Sequence, residues 1–157
     1  GYLYDFSGQP WKTQARVRQI AAAEYADLPS GIDGDDDCGQ MSAWYLFTAL
    51  GFYPVNPASG VYMIGSPLFR RMTLKLANGK RFTVSAPNNS DTNIYIQSAT
   101  LNNHTLTTPE ITWEDIQAGS TLTLIMGPTP SKWASTWHPA KIPGTPPIPI
   151  SLPPQAP

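Results

Sequence analysis

The 157-residue sequence is poor in several residue types, and each shortage removes a class of function. It holds one cysteine, Cys38, so no disulfide can form within the chain. A nucleophilic role for Cys38 is disfavoured, because no nearby histidine supports it and flanking carboxylates raise a thiol pKa. It reads instead as a small buried residue at a helix start, with a bridge to another chain segment as the alternative. There are two histidines, His104 and His138, far apart on turn-like or proline-flanked sequence. They read as surface residues and do not make a metal site. Charged residues are 13% of the chain, where about a quarter is usual, and the net charge is −1. That excludes the basic footprint of a nucleic-acid partner. No apolar run approaches the roughly 18 residues that a membrane span needs, so no membrane partner is expected. No signal peptide opens the chain; Gly1-Tyr2-Leu3-Tyr4 starts abruptly, which suggests a processed or truncated piece of a longer protein.

What the chain does have is concentrated in residues 31–54, GIDGDDDCGQMSAWYLFTALGFYP. An acidic, glycine-punctuated loop runs into a predicted helix over residues 39–50. Met41, Trp44, Tyr45, Thr48 and Phe52 follow one helical face, and Leu46, Phe47, Ala49 and Leu50 fill the other. A helix apolar on nearly every side is expected to be buried among other elements. Gly51 and Pro54 end it. Four aspartates, Asp33, Asp35, Asp36 and Asp37, precede it, which is more than one N-cap requires.

Three readings of these aspartates compete. The first is an over-supplied cap in a solvated turn. The second is a calcium loop, because Asp33, Asp35 and Asp37 match D-x-D-x-D; an EF-hand would then need glycine and glutamate where Cys38 and Trp44 stand. The third is a catalytic carboxylate pair. Asp35 and Asp37 alternate to the same side of an extended loop, and two carboxylates sharing a site push their pKa values apart. The anion nearer the helix N-terminus can take a proton from water.

Before this loop, residues 9–26 read as a helix. Pro10 suits the first position, and Val17, Ile20, Ala21 and Tyr25 form a stripe. Tyr2, Tyr4, Phe6 and Trp11 read as an aromatic cluster at its start, for packing or as a sugar platform. After Pro54 the period becomes 2. Tyr62-Met63-Ile64 is a short strand, and Met72, Leu74 and Leu76 alternate with polar residues. Asn78-Gly79 signals a type I′ hairpin to Phe82, Val84 and Ala86. Ile94 and Ile96 mark the next strand, Asn102-Asn103-His104 turns it, and residues 113–116 make a helical turn before Leu122, Leu124 and Met126. The expectation is an antiparallel meander, one part of a β-sandwich. Asn88-Asn89-Ser90 and Asn103-His104-Thr105 are N-glycosylation sequons. The 19 residues from Pro139 hold eight prolines and read as an extended or disordered tail.

The run GDDDCGQMSAWYLFTALGFYPVNPASGVYMIGSPLF resembles the signature region of glycoside hydrolase family 92. YLYDFSGQPWKTQARVRQI is similar to the family segment upstream of it, and NNSDTNIYIQSATLNN to its C-terminal β region. The resemblance covers roughly residues 2–133. It implies an α+β fold: the last helices of an (α/α)6 barrel (residues 1–54) followed by an antiparallel β-sandwich portion (55–138), with the tail at 139–157. It also implies part of a secreted, calcium-dependent, inverting exo-α-mannosidase, α-1,2-mannosidase-like, acting on terminal α-mannosyl residues of glycans. The partners implied are the mannose-containing glycan and the rest of the enzyme, namely its N-terminal domain and earlier barrel helices. The chain alone is expected to be inactive, since the family's general acid is a glutamate upstream of Gly1. By the same resemblance Asp37 is the general base and Asp35 positions the water or shares that role; some family members carry Asn at the Asp35 place. Asp36 faces away and caps the helix. The resemblance implies Ca2+ but assigns none of its ligands residue by residue; Asp5 and Gln9 are oxygen donors that stand in the upstream segment. The competing expectation is a non-catalytic carbohydrate-binding or structural domain.

Overall fold

The computed structural model describes residues 1–139; the proline-rich expectation for 140–157 lies outside the described residues. The chain opens with a 3-10 helix, Tyr2–Ser7, and turns at Gly8 into α1, Pro10–Ala23. Pro10 takes the first turn, where its missing N–H has no partner to lose. The inner face of α1 carries Thr13, Gln14, Val17 and Ala21. Gln14 Oε1 accepts a buried 2.9 Å hydrogen bond from the backbone N–H of Ile96, 82 residues away. Such a bond stabilises by about 0.5–1.5 kcal/mol and fixes the helix against the β layer.

The second helix, α2, runs Gln40–Leu50 and stops at Gly51, whose φ of 96° is left-handed. A Cβ there would stand 3.0 Å from Pro67, so the stop requires glycine on both counts. The expectation that α2 is buried on nearly every side fails within the described residues. Only Thr48 and Ala49 are buried, and Leu46 is 64% exposed. Phe47 and Leu50 reach the β core and Trp44 packs on Tyr2, Val17 and Met63, while Leu46 is left open to solvent.

Two small sheets follow, making a mixed α+β architecture. The first pairs β1 (Phe52–Asn56), β2 (Val61–Ile64) and β7 (Glu110–Thr112) in the order β1-β2-β7, all antiparallel. Strand β1 was not expected, since Pro54 was read only as the end of the preceding helix. It survives because β1 is an edge strand and its register to β2 is irregular between Tyr53 and Asn56, where Pro54 sits without a ladder N–H. The second sheet has the order β3-β4-β8-β5-β6, from β3 (Arg71–Lys75), β4 (Arg81–Ser85), β5 (Tyr95–Leu101), β6 (His104–Thr105) and β8 (Thr121–Gly127). It is not the antiparallel meander expected. β8 inserts between β4 and β5 and runs parallel to β4, Thr83 facing Thr121 and Ser85 facing Thr123. Period-2 alternation reports which face is buried and is silent on strand direction.

The turns also differ from expectation. At Asn78-Gly79 only Gly79 has positive φ, and Gly79 N–H bonds Leu76 O, so this is a three-residue loop ending in a left-handed glycine. The type I′ pattern occurs instead at Asn102-Asn103, with φ of 50° and 65°, joining β5 to β6. The short helix α3, Trp113–Gln117, is set by a capping box in which Thr112 and Asp115 exchange side-chain and backbone bonds.

The main core lies between the two sheets: Phe52, Ile64 and Ile111 from the small one meet Phe82, Val84, Ile96, Leu122 and Leu124 from the large one. Phe52 stands edge-on to Phe82 at 5.9 Å. Full burial of a residue such as Leu124 stabilises by about 1.5–3 kcal/mol. The other face of the small sheet carries Met63, Tyr53, Val55 and Val61 and packs on Tyr2, Val17 and Trp44. The expected aromatic cluster at the start of α1 therefore separates. Tyr2 is buried and stacks on Tyr53 at 5.4 Å, whereas Tyr4 and Phe6 are exposed and Phe6 meets Trp137.

Candidate active site

The acidic loop hangs from a small scaffold at the end of α1. Tyr25 and Ile32 form an antiparallel bridge, and Ala26 N–H donates to Gly31 O at 2.8 Å. This closure admits only glycine at position 31: a Cβ there would lie 1.9 Å from the Ala26 carbonyl oxygen. The chain then passes Gly34, at φ 75°, and enters a 3-10 turn, Asp37–Gly39. Cys38 at φ 54° and Gly39 at φ 77° are consecutive left-handed residues that re-aim the chain into α2.

Asp36 caps that helix from outside its first turn. Its Oδ1 accepts from Met41 N–H at 2.8 Å and Ser42 N–H at 3.1 Å, and its Oδ2 from the Ser42 hydroxyl at 2.6 Å. These donors, the Ser42 hydroxyl foremost, hold the Asp36 carboxyl below the usual carboxylate range. The capping role expected of Asp36 is what the geometry has. Asp33, Asp35 and Asp37 are all exposed in the same short loop, with Asp35 and Asp37 flanking the anchored Asp36. Cys38 is exposed too, against the expectation of a buried residue, because its left-handed conformation lifts it out of the helix run.

Beside the loop, between the α1 end and α2, lies an open cleft of about 510 Å3 walled by Tyr25, Ile32, Ser42, Tyr45 and Leu46. Tyr25 stacks on Trp44 at 5.6 Å, leans on Tyr45 at 4.8 Å and donates from its hydroxyl to Met41 O. A smaller hollow of about 270 Å3 reaches Asp33. Neither is lined by Asp35 or Asp37. Ser42 was missed from sequence. The signal was a hydroxyl residue in the first turn of a helix that begins at a glycine unable to cap it.

The residues offered for calcium do not fit it. Asp5 is fully buried, and neither carboxylate oxygen has a hydrogen-bond partner; the neighbouring Thr13 hydroxyl is equally unpaired. Burial pushes the Asp5 carboxyl up to about 8, opposed by Thr13, which lies close without aligning as a hydrogen bond. Gln9 stands at the start of α1 and caps nothing. Calcium takes about six to eight oxygens, and among the described residues no three His, Cys, Asp or Glu side chains gather where an ion could sit.

The described helices and both sheets also carry a likeness to known proteins. Residues 1–128 match the glycosyl hydrolase family 92 catalytic domain. The chain belongs to family 92. A family 92 inverting mannosidase from Bacteroides thetaiotaomicron superposes with a TM-score of 0.81 at 44% identity, over 88% of this chain and 19% of that one. A family 92 α-mannosidase from the same organism, solved in complex with mannoimidazole, gives 0.81 at 39% identity over 85% of this chain and 18% of its own. An uncharacterized secreted glycosidase from Arthroderma benhamiae is 34% identical over 137 residues, 85% of this chain and 18% of its own length. The chain thus spans about a fifth of the length of these family 92 relatives.

Proposed function

We propose that the chain is the C-terminal part of the catalytic unit of a secreted, inverting exo-α-mannosidase that removes terminal α-mannosyl residues from glycans. The observation that carries this is the anchoring of Asp36. Its carboxylate is committed to the head of α2, which leaves Asp35 and Asp37 on either side of it exposed and free for chemistry. Asp37 is the base that takes a proton from the attacking water, and Asp35 orients that water or shares the proton. The acid that protonates the leaving oxygen stands about 6.5–9.5 Å from the base in an inverting enzyme, leaving room for the water between them. It comes from outside this chain, as do the helices that complete a barrel around α2 and the sites that set linkage preference. Residues 1–54 belong to that barrel and 55–138 to a sandwich portion. Calcium is proposed for the whole enzyme only, with ligands from elsewhere, and no step is routed through it here. Secretion is supported by the described name of the Arthroderma relative and by the sequon asparagines, Asn88 and Asn103, both exposed in turns.

The second reading, a non-catalytic carbohydrate-binding or structural unit, is favoured by one observation: Asp35 and Asp37 line neither cleft beside their loop. Hydrolysis of an aryl α-mannoside by the complete protein, with and without Asp37→Asn, separates the two. Turnover that survives the substitution removes Asp37 from the chemistry, and no turnover in either protein favours the second reading.

A further inference from the structure

On the helix-facing side of the small sheet, away from the inter-sheet core, Trp137 packs against the cluster of Tyr2, Val17 and Met63. Its ring lies 5.9 Å from Phe6, tilted by 58°. Between these two rings and the sheet is a hollow of about 350 Å3, with Val61 and Met63 as its floor and Asn56 and Glu110 at its edge. Glu110 stands on β7, the outer strand, directly across from Met63. It is half-buried, and burial raises its pKa, opposed by the Trp137 side chain. None of these residues belongs to the acidic loop or lines the cleft beside it.

We propose that this hollow is a second sugar-binding site, taking one pyranose ring with its C–H face on Trp137 and Phe6 and its hydroxyls on Glu110. The composition selects the occupant. The Trp137 side chain already acts as a donor toward Glu110, and a wholly apolar guest would add none for the carboxylate's remaining lone pairs, whose unpaired burial is costly. A sugar ring has both parts: hydroxyl donors for a carboxylate, and an apolar face for aromatic rings that themselves combine an apolar body with a polar handle. The volume is at the low end of small-molecule sites, which suits one ring rather than a chain. The Asn56 carbonyl is already engaged by Ala58 N–H, so Asn56 has its amide N–H groups to offer a further hydroxyl. The proposal rests on the mannoside reading for the identity of the sugar. It predicts a grip on polymeric substrate separate from the reacting centre.

The test uses the complete protein, measuring retention on immobilised α-mannan beside hydrolysis of a small aryl α-mannoside. Trp137→Ala and Glu110→Gln are each expected to weaken retention by about fivefold or more, as truncating an anchoring aromatic does. The small substrate, which needs no second site, keeps its kcat/KM, and free methyl α-mannoside competes for retention. Melting temperature checks folding, and if Trp137→Ala does not fold, Phe6→Ala and Glu110→Gln decide. Unchanged retention in the folded variants overturns the proposal. So does a parallel fall in retention and small-substrate turnover, which would make Trp137 a structural staple. Trp137-dependent retention in a protein that hydrolyses no mannoside keeps the second site and removes the mannosidase reading.

Discussion

Asp36 and Ser42 are joined twice: the Ser42 hydroxyl donates to Asp36 Oδ2 at 2.6 Å, and the Ser42 N–H to Oδ1 at 3.1 Å. With Met41 N–H, this pair fastens the acidic loop to the head of α2. The aspartates on either side are presented by a loop that does not depend on them for its own anchorage.

The pair makes a pH prediction. The folded pKa of Asp36 is lowered, so its contribution to stability is present above the ordinary Asp value and is lost as pH falls through the lowered one. Asp36→Ala should therefore lower the melting temperature at neutral pH, and the gap to wild type should close in acid. Melting curves from pH 7 downward check this; a gap that persists unchanged at pH 2 contradicts the assignment. Turnover by Asp36→Asn should fall far less than turnover by Asp37→Asn.

Asp5 has the opposite sign. Its folded pKa, near 8, lies above the unfolded value of about 3.9. The stability tied to its protonated form is complete below about pH 4 and drains away as pH rises toward 8. Asp5→Asn supplies a neutral side chain of the same shape, so it should raise the melting temperature at pH 7–8 and flatten the wild-type decline above pH 5. A variant less stable than wild type at pH 8 would refute burial as the cause.

These two carboxyls show what was legible in the sequence. The cap by Asp36 followed from an acidic residue ahead of a helix, because capping is local. The burial of Asp5 did not, because Thr13 and the packing of the Tyr2–Ser7 turn on α1 depend on tertiary contact. The alternating runs around Phe82, Ile96 and Leu124 gave the strands and their inner faces. The parallel pairing of β4 and β8 stayed hidden, since residues 38 positions apart, Thr83 and Thr121, meet only after the chain between them has folded. Strand β1 went unread because Pro54 marked only the end of a helix, whereas proline is tolerated on an irregular edge strand.

The exposed side of α2 sets a limit on residues 1–157 expressed alone. Leu46 on α2, with Leu3, Leu28 and Phe69 elsewhere, presents large apolar surface to water. The isolated chain should associate at micromolar concentration and show no mannosidase turnover. Light scattering and an aryl α-mannoside assay check both; measurable hydrolysis by this chain alone would show that it needs nothing further.

Calcium gives a prediction with a built-in control. The complete enzyme is expected to lose activity with a calcium chelator and regain it on adding calcium, while Asp5→Asn titrates with the same calcium dependence as wild type. Asp5 is a buried carboxyl, and among the described residues no three His, Cys, Asp or Glu side chains gather as a ligand set. Full activity after exhaustive chelation would reject the metal requirement, and a weakened calcium response in Asp5→Asn would restore Asp5 as a ligand.

Asp37 carries the proposed chemistry, and its surroundings say which kinetic parameter should move. It opens the 3-10 turn that leads into α2, two residues ahead of Gly39. The charge of Asp36 is itself tied up by Met41 and Ser42. Removing the base should damage the chemical step and spare binding, because no hydrogen bond of the loop runs through the Asp37 side chain among the described residues. General-base contributions are about 10²–10⁴-fold, so Asp37→Asn should lower kcat by that order with KM changed far less. Asp35→Asn should fall between Asp37→Asn and Asp36→Asn, since its role is to orient water or share the proton. Steady-state kinetics of the three variants on an aryl α-mannoside give the ranking. If Asp36→Asn is the crippled enzyme while Asp37→Asn turns over near the wild-type rate, the base has been placed on the wrong aspartate.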